Sequence, residues 1–286
     1  MLRVCRVGDE TPALRSRFAH NGVVIIAQLL LPGASEYERK SQRIDFASLA
    51  AEHDVRFGEI ANADIVHVYA PHDFDPKAVR DIGLPYVSNA RPKARRFHKS
   101  VQPHRVITPL KETAGTFIPE AVEEIYFSNR ETQQPSNRAT VGSYRRTAAN
   151  NLIEQTAARI HRFRDDVDWL LFDGPPSPSD LHSVDAWADP SFDEDDFDGF
   201  VAEAIAAGTA VIGSRTAINT QRLEKGRTGM LVPPRDPNEW THAILTTLFK
   251  QEFRQTKVAA AQQTASKFRP RHRARALTQL YESILQ

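Results

Sequence analysis

The sequence has a single cysteine, Cys5, among 286 residues. An internal disulfide framework and a cysteine-built zinc site are therefore excluded, and a reducing, cytosolic home is expected. Neither charge is in excess: Lys and Arg number 37, Asp and Glu 36, for a formal balance of +1. That excludes a chain basic along its whole length, of the kind that holds nucleic acid through phosphate contacts, but not a local basic patch. Long apolar runs are missing as well. The longest, residues 23–31, is interrupted by Gln28 and stopped by Pro32, well short of the ~20 residues that a membrane helix needs. The opening Met1-Leu2-Arg3-Val4-Cys5-Arg6 lacks the apolar centre of a signal peptide. These absences predict a cytoplasmic protein without stable membrane insertion, peripheral contact with a membrane being left open.

What is present suits two domains or one large one. Hydrophobic residues make up 41% and charged residues 26%, enough for a packed core. In the first half, short Val- and Ile-rich runs at 2–7, 23–31, 64–69, 86–88 and 106–108 read as strands, with helical candidates at 35–52 and 77–82. Residues 129–138 are polar, carry no large apolar side chain and read as a linker, 129–139. The alternation then resumes, with strands at 140–142, 167–172, 186–188, 210–213 and 230–232, and helices at 150–163, 199–207 and 218–224. The helix after Asp236 is the best signed: Asp236 is a good N-cap, Pro237 takes the first helical position and Glu239 stands three residues beyond the cap. Two further helices are expected at 251–265 and 271–285. Strand–helix alternation on both sides of a linker predicts two successive parallel α/β sheets. The expected divisions are 1–128, the linker 129–139, 140–268, and a final helix 269–286 packing back on the N-terminal domain.

The stretch from Phe192 to Pro237 holds the chemistry. A helix starting near Gly199–Phe200 would leave free amides at its N-terminus, which suit an anion. Glu203, in its first turns, could accept hydrogen bonds from ribose or sugar hydroxyls through both oxygens. The strand at 209–214 should end in a crevice lined by Ser214, Arg215 and Thr216, since ligands of parallel sheets bind beyond the strands' carboxyl ends.

Two segments here resemble a known family. Glu203 to Ser214 reads E-A-I-A-A-G-T-A-V-I-G-S, and Gly226 to Pro237 reads G-R-T-G-M-L-V-P-P-R-D-P. They are similar to the C-terminal domain of retaining GT-B glycosyltransferases, with E-A-M-A-x-G-x-P-V-V-A-S and then G-x-T-G-x-L-V-x-P-x-D-P. Weaker echoes are A-D-I-V-H-V-Y at 63–69 and I-P-E-A-V at 118–122. The resemblance implies an α/β GT-B fold, two Rossmann-like domains with parallel sheets facing across a cleft. A nucleotide-sugar donor would sit mainly on the C-terminal domain and an unknown acceptor on the shortened N-terminal one. The reaction would be glycosyl transfer with retention of configuration and without a metal or other cofactor, the nucleotide-diphosphate sugar being the co-substrate.

The same resemblance carries roles onto single residues. Glu203 matches the second glutamate of the family's paired-acid motif, which holds the ribose. Asp195, eight residues earlier, takes the place of the first acid, which contacts the donor sugar. Glu194 and Asp198 stand at spacings of nine and five, and Asp196 and Phe197 replace part of the family's E-G-F-G. His67, with His72 nearby, is the candidate to face the reacting sugar. After Val141-Gly142 the family's arginine and lysine are absent from their usual places, and Arg145 or Arg146 is expected to supply charge to the diphosphate. Gly142 completes the donor set. The N-terminal domain shows one glycine, Gly8, where the family has a glycine-rich loop.

Blander readings stand beside these. His67 lies in a buried-looking strand and reads equally well as a bonded core residue; Trp169, Trp187 and Cys5 read as core. The pairs Asp193/Asp195 and Asp196/Asp198 have D-x-D spacing, which in the GT-A fold binds a metal-nucleotide. Arg91, Lys93, Arg95, Arg96 and Lys99 form either a solvated face or a contact for an anionic acceptor, a membrane surface or nucleic acid. Two other functions stay open: a non-catalytic nucleotide-sugar-binding or partner subunit, and a nucleotide-sugar epimerase. The oligomeric state is not legible.

Overall fold

The β-branched runs of the first half become the inner strands of a parallel sheet. The computed structural model describes residues 24–30, 36–50, 55–58, 62–69, 84–89, 105–108, 116–128, 137–145, 149–192 and 199–285. They divide into two units, Met1–Glu120 with Arg271–Gln286, and Ala121–Pro270.

The first unit contains β1 (Val24–Leu30), α1 (Glu36–Leu49), β2 (Val55–Phe57), β3 (Ile65–Tyr69), β4 (Tyr86–Asn89), β5 (Arg105–Thr108) and β6 (Thr116–Phe117). The strand order is β2-β1-β3-β4-β5-β6, and every pairing is parallel. Every residue of β3 is buried, as expected of an inner strand covered on both faces.

The second unit contains β7 (Ala139–Tyr144), α2 (Asn150–His161), β8 (Val167–Phe172), α3 (Pro178–His182), β9 (Ala186–Asp189), α4 (Val201–Ala206), β10 (Ala210–Ser214), α5 (Ala217–Arg222), β11 (Met230–Val232), α6 (Pro237–Phe249) and α7 (Gln251–Ala265). Its sheet runs β11-β10-β9-β7-β8, again all parallel. Successive strand residues point to opposite faces, so Trp187 and Val211 enter one core with Val201, Ile205 and Ala261. Ala186, Ala188 and Ile212 enter the other with Leu152, Trp240 and Ile244. α6 is capped as the sequence predicts: Asp236 Oδ1 accepts from the amides of Asn238 at 2.9 Å and Glu239 at 3.3 Å.

The last helix, α8 (Pro270–Leu285), returns to the first unit. Its buried residues Arg273, Ala274, Leu277, Leu280 and Tyr281 recur every three or four positions, the period of a one-faced helix. The apolar ones pack with Ile26, Ile65, Val87, Ile107 and Ile118 of the sheet and Leu49 of α1. A fully buried leucine such as Leu277 contributes about 1.5–3 kcal/mol.

Counted in its own chain order, each sheet reads 2-1-3-4-5 from one edge, with a sixth strand in the first unit. Sheets of this order place ligands beyond the carboxyl ends, where the first and third strands part. β2, β6 and α3 have no counterpart among the predicted elements: they are three, two and five residues long, too short to develop a periodic signal. The expected strand at 2–7, helix at 77–82 and most of the linker lie outside the described residues.

Candidate functional site

The candidate site is the carboxyl edge of β7, β9 and β10. β7 ends in Gly142-Ser143-Tyr144. A Cβ on Gly142 would lie 2.9 Å from the Trp187 ring and 3.0 Å from Val184, so the glycine makes room for packing across to β9. Trp187 Nε1 donates to the Gly199 carbonyl at 2.8 Å, tying β9 to the start of α4. Phe200 then adopts a left-handed conformation, φ 52°, which costs a residue with a Cβ about 1–2 kcal/mol. Its ring meets Tyr144 edge-on at 5.1 Å. The predicted helix start at 199–200 is thereby corrected: Phe200 is a non-helical cap and the first helical residue is Val201.

Asp189, the last residue of β9, is the organising group that the sequence reading did not single out. Its carboxylate packs so closely on Gly199 that an added Cβ would lie 2.4 Å from it. Its Oδ2 accepts from Asn219 Nδ2 at 2.7 Å and from Ser191 Oγ at 3.1 Å. Thr216 caps α5, its Oγ1 accepting from the Asn219 amide at 3.3 Å. One buried acid thus joins the ends of β9, α4 and α5. Its only trace in the sequence is its place in the acidic run 185–198, immediately after a strand-like segment.

Glu203 stands in the first turn of α4 with 1% of its surface exposed, a position where the helix amides favour a carboxylate. Ser214 and Thr216 are buried at the end of β10. Ser214 Oγ and Asn219 Oδ1 are buried acceptors without a hydrogen bond among the described residues. Arg145 lies at the end of β7, 48% exposed, with Nε 2.6 Å from Asp173. An ion pair that open to water holds little, so the guanidinium can be redirected cheaply. Arg215 is exposed and lines a separate cavity of about 410 Å³ toward β11. Glu194, Asp195, Asp196, Phe197 and Arg146 lie outside the described residues, as do Asp193, Asp198, His72 and the basic run 91–99.

His67 belongs to a different cluster, inside the first unit. It has no exposed surface, and its Nδ1 is 2.6 Å from the Tyr281 hydroxyl and 3.2 Å from that of Tyr69. Tyr69 donates to Asp45 Oδ2 at 2.7 Å, and Gln28 Nε2 donates to Tyr69 at 3.1 Å. Arg273 of α8 grips Asp45 in a two-pronged ion pair, at 2.5 and 2.9 Å, and donates to the Pro119 carbonyl at 3.1 Å. The two phenols stay protonated well above their ordinary range, chiefly because they are buried and then because Asp45 is negative. In this setting His67 is a buried, bonded residue, the reading set beside the catalytic one in the sequence.

No helix among the described residues is long and apolar enough to cross a membrane. Residues 119–249 match the family model described as Glycosyl transferases group 1. The D-inositol 3-phosphate glycosyltransferase of Corynebacterium jeikeium (strain K411) is 32% identical over 119 residues, which is 40% of this chain and 28% of that protein. That of Nocardioides sp. (strain ATCC BAA-499 / JS614) is 34% identical over 92 residues, 32% of this chain and 20% of that protein. The chain thus spans about a quarter of these relatives' length. Among solved structures, a glycosyltransferase from Rickettsia africae ESF-5 has a TM-score of 0.71 at 12% identity, covering 93% of this chain and all of that one. Anabaena Alr3699/HepE in complex with UDP and glucose has a TM-score of 0.67 at 15% identity, with coverage of 91% and 100%. At these identities the structural likeness speaks for the fold alone, a pair of Rossmann-like units of the GT-B type. Residues 119–249 are thus similar to the group 1 glycosyl transferases, and the fold is that of the GT-B structures.

Proposed function

We propose that the chain moves a sugar from a nucleoside-diphosphate donor to an acceptor hydroxyl, with retention of configuration and without a metal ion. The observation that carries this reading is the placement of Glu203: a buried carboxylate in the first turn of α4, beside a strained Phe200, at the carboxyl edge of a parallel sheet. Glu203 would accept the ribose hydroxyls and Asp195 the hydroxyls of the donor sugar. Arg145 and Arg146 would meet the diphosphate, Arg145 exchanging Asp173 for phosphate oxygens. Arginine suits this exchange, because its planar fork binds phosphate in a bidentate manner. Gly142 serves by admitting Trp187, which fixes the loop to which Glu203 is attached. Ser214 and Thr216 frame the crevice.

In the proposed reaction the bond between the anomeric carbon and the diphosphate oxygen breaks, and the acceptor oxygen bonds to the same face. The acceptor's proton passes to the departing diphosphate. Charge growing on that diphosphate is what the two arginines would stabilise, and groups aimed in advance at developing charge are an effective source of catalysis. The acceptor is read as anionic: the run 91–99 is basic, and the relatives' printed names include a phosphorylated polyol.

One observation favours a second reading, a nucleotide-sugar binder without turnover. The position after β7 carries no lysine, and its Arg145 is paired with Asp173. Donor hydrolysis separates the two. A transferase releases free sugar slowly from one of the uridine, guanosine or adenosine diphosphate sugars, whereas a binder is stabilised by the same compound and releases none. A chain whose melting temperature responds to none of them contradicts both.

A further inference from the structure

We propose that the cavity beside β11 is a second ligand site, for a small phosphate monoester of monosaccharide size, separate from the donor crevice and independent of the reading given for it. The cavity holds about 410 Å³, within the ~300–1,000 Å³ typical of small-molecule sites. It is larger than a lone ion needs. β11 is the edge strand, and both β10 and β9 lie between it and β7.

Its walls divide by chemistry. Arg215, Lys225 and Lys257 bring three positive charges, Phe253 and Leu231 an apolar surface, and Thr220 a hydroxyl. No acidic side chain among the described residues lines it. The neighbouring acid, Glu224, is taken up by Arg227 and by Lys267, the latter at 2.8 Å. Arg215 and Lys225 have no ion-pair partner among the described residues. Lys257 donates to the Gly226 carbonyl at 2.6 Å and lies 5.3 Å from the Phe253 ring. A neutral carbonyl orients the ammonium and leaves its charge uncancelled.

The backbone is shaped to hold this arrangement. Glu224, Lys225 and Gly226 are all left-handed, with φ of 49°, 57° and 93°, and the first two are residues that rarely adopt that conformation. This turn sets Lys225 on the rim and Gly226 where Lys257 can reach it. Strain held in a surface turn points to a use for the geometry. Three cations without a counter-charge fit a dianionic phosphate, and the Phe253–Leu231 wall fits the C–H face of a sugar ring.

Glucose 6-phosphate is the probe, with inorganic phosphate and glucose as controls, titrated calorimetrically at fixed ionic strength with and without saturating uridine diphosphate. The proposal expects saturable binding of glucose 6-phosphate that survives uridine diphosphate, is tighter than that of inorganic phosphate and is absent for glucose. Lys225→Asn, which suits the left-handed backbone and should keep the wild-type melting temperature, is expected to weaken it about tenfold, as is Lys257→Met, each removing a charge-assisted contact. Binding abolished by uridine diphosphate would place the anion in the donor crevice and overturn the proposal. So would binding equal for phosphate and glucose 6-phosphate, binding indifferent to both substitutions, or none at all. None of these outcomes depends on whether the chain turns over a donor.

Discussion

The two units repeat one topology and treat its carboxyl edge in opposite ways. Both sheets run 2-1-3-4-5. In the first unit the polar side chains of β1 and β3, namely Gln28, His67 and Tyr69, bond to one another, to Asp45 of α1 and to Tyr281 of α8, with Arg273 of α8 bound to Asp45. In the second unit, Asp189 and Asn219 hold the strand ends together while Ser214 Oγ and Asn219 Oδ1 keep spare capacity, and Phe200 stays strained. The first cluster spends its polar groups on holding a helix to a sheet. The second leaves some unspent at the position where such sheets bind ligands. Strand order alone therefore does not make a site; what decides is whether the polar groups at the strand ends are already satisfied.

The strongest way to break this comparison is to test whether the first cluster is truly structural. Arg273 and Asp45 are 3% and 0% exposed, so Arg273→Met would strand a buried carboxylate. The expected loss is about 3–5 kcal/mol in urea unfolding, and adding Asp45→Asn should restore much of it. A loss too small to resolve would mean that the pair is not carrying α8.

A smaller effect sharpens the other side. Gly199→Ala would drive a methyl group into the Asp189 carboxylate, and overpacking of this kind costs about 1–3 kcal/mol. Because the displaced loop leads into α4, nucleoside-diphosphate affinity should fall along with stability. Gly174→Ala is the control, since a Cβ there meets nothing within 4 Å; it should change neither quantity.

The smallest expected effect lies at high pH. The folded protein raises the phenols of Tyr69 and Tyr281 above their unfolded value, near pH 10. Their contribution to stability is whole below that pH and is lost as pH climbs through the folded values, where ionisation favours the unfolded chain. Unfolding midpoints should therefore fall above about pH 10, and Tyr281→Phe should flatten the slope. An unchanged slope would show that the phenol does not ionise on unfolding.

Much of the fold was legible in the residues. Short apolar runs found β1, β3, β4, β5 and all of β7 to β11, most of them inner parallel strands, which are apolar on both faces. Asp236, Pro237 and Glu239 found the start of α6, because capping is local chemistry. The site was legible in part. Glu203 stood out through its neighbours in sequence, and the structure places it, buried, in the first turn of α4. Asp189 did not stand out, because its importance comes from Gly199 and Asn219, respectively 10 and 30 residues away. His67 attracted a catalytic reading for its motif, while its partner Tyr281 and the Asp45–Arg273 pair that completes the cluster are 22 to 214 positions away and invisible to any local pattern. Short elements such as β2 and β6 exist only because a longer strand is there to pair with them.

The central claim is that a nucleoside diphosphate binds at the carboxyl edge of the second sheet through Glu203. Calorimetric titration of uridine, guanosine and adenosine diphosphates into the wild type and Glu203→Gln tests it most directly. The account predicts saturable binding of at least one, weakened about tenfold or more in the variant, as expected for lost hydrogen bonds to a charged group, with the melting temperature little changed. Equal affinity in the two proteins, or no binding of any of the three, would contradict it.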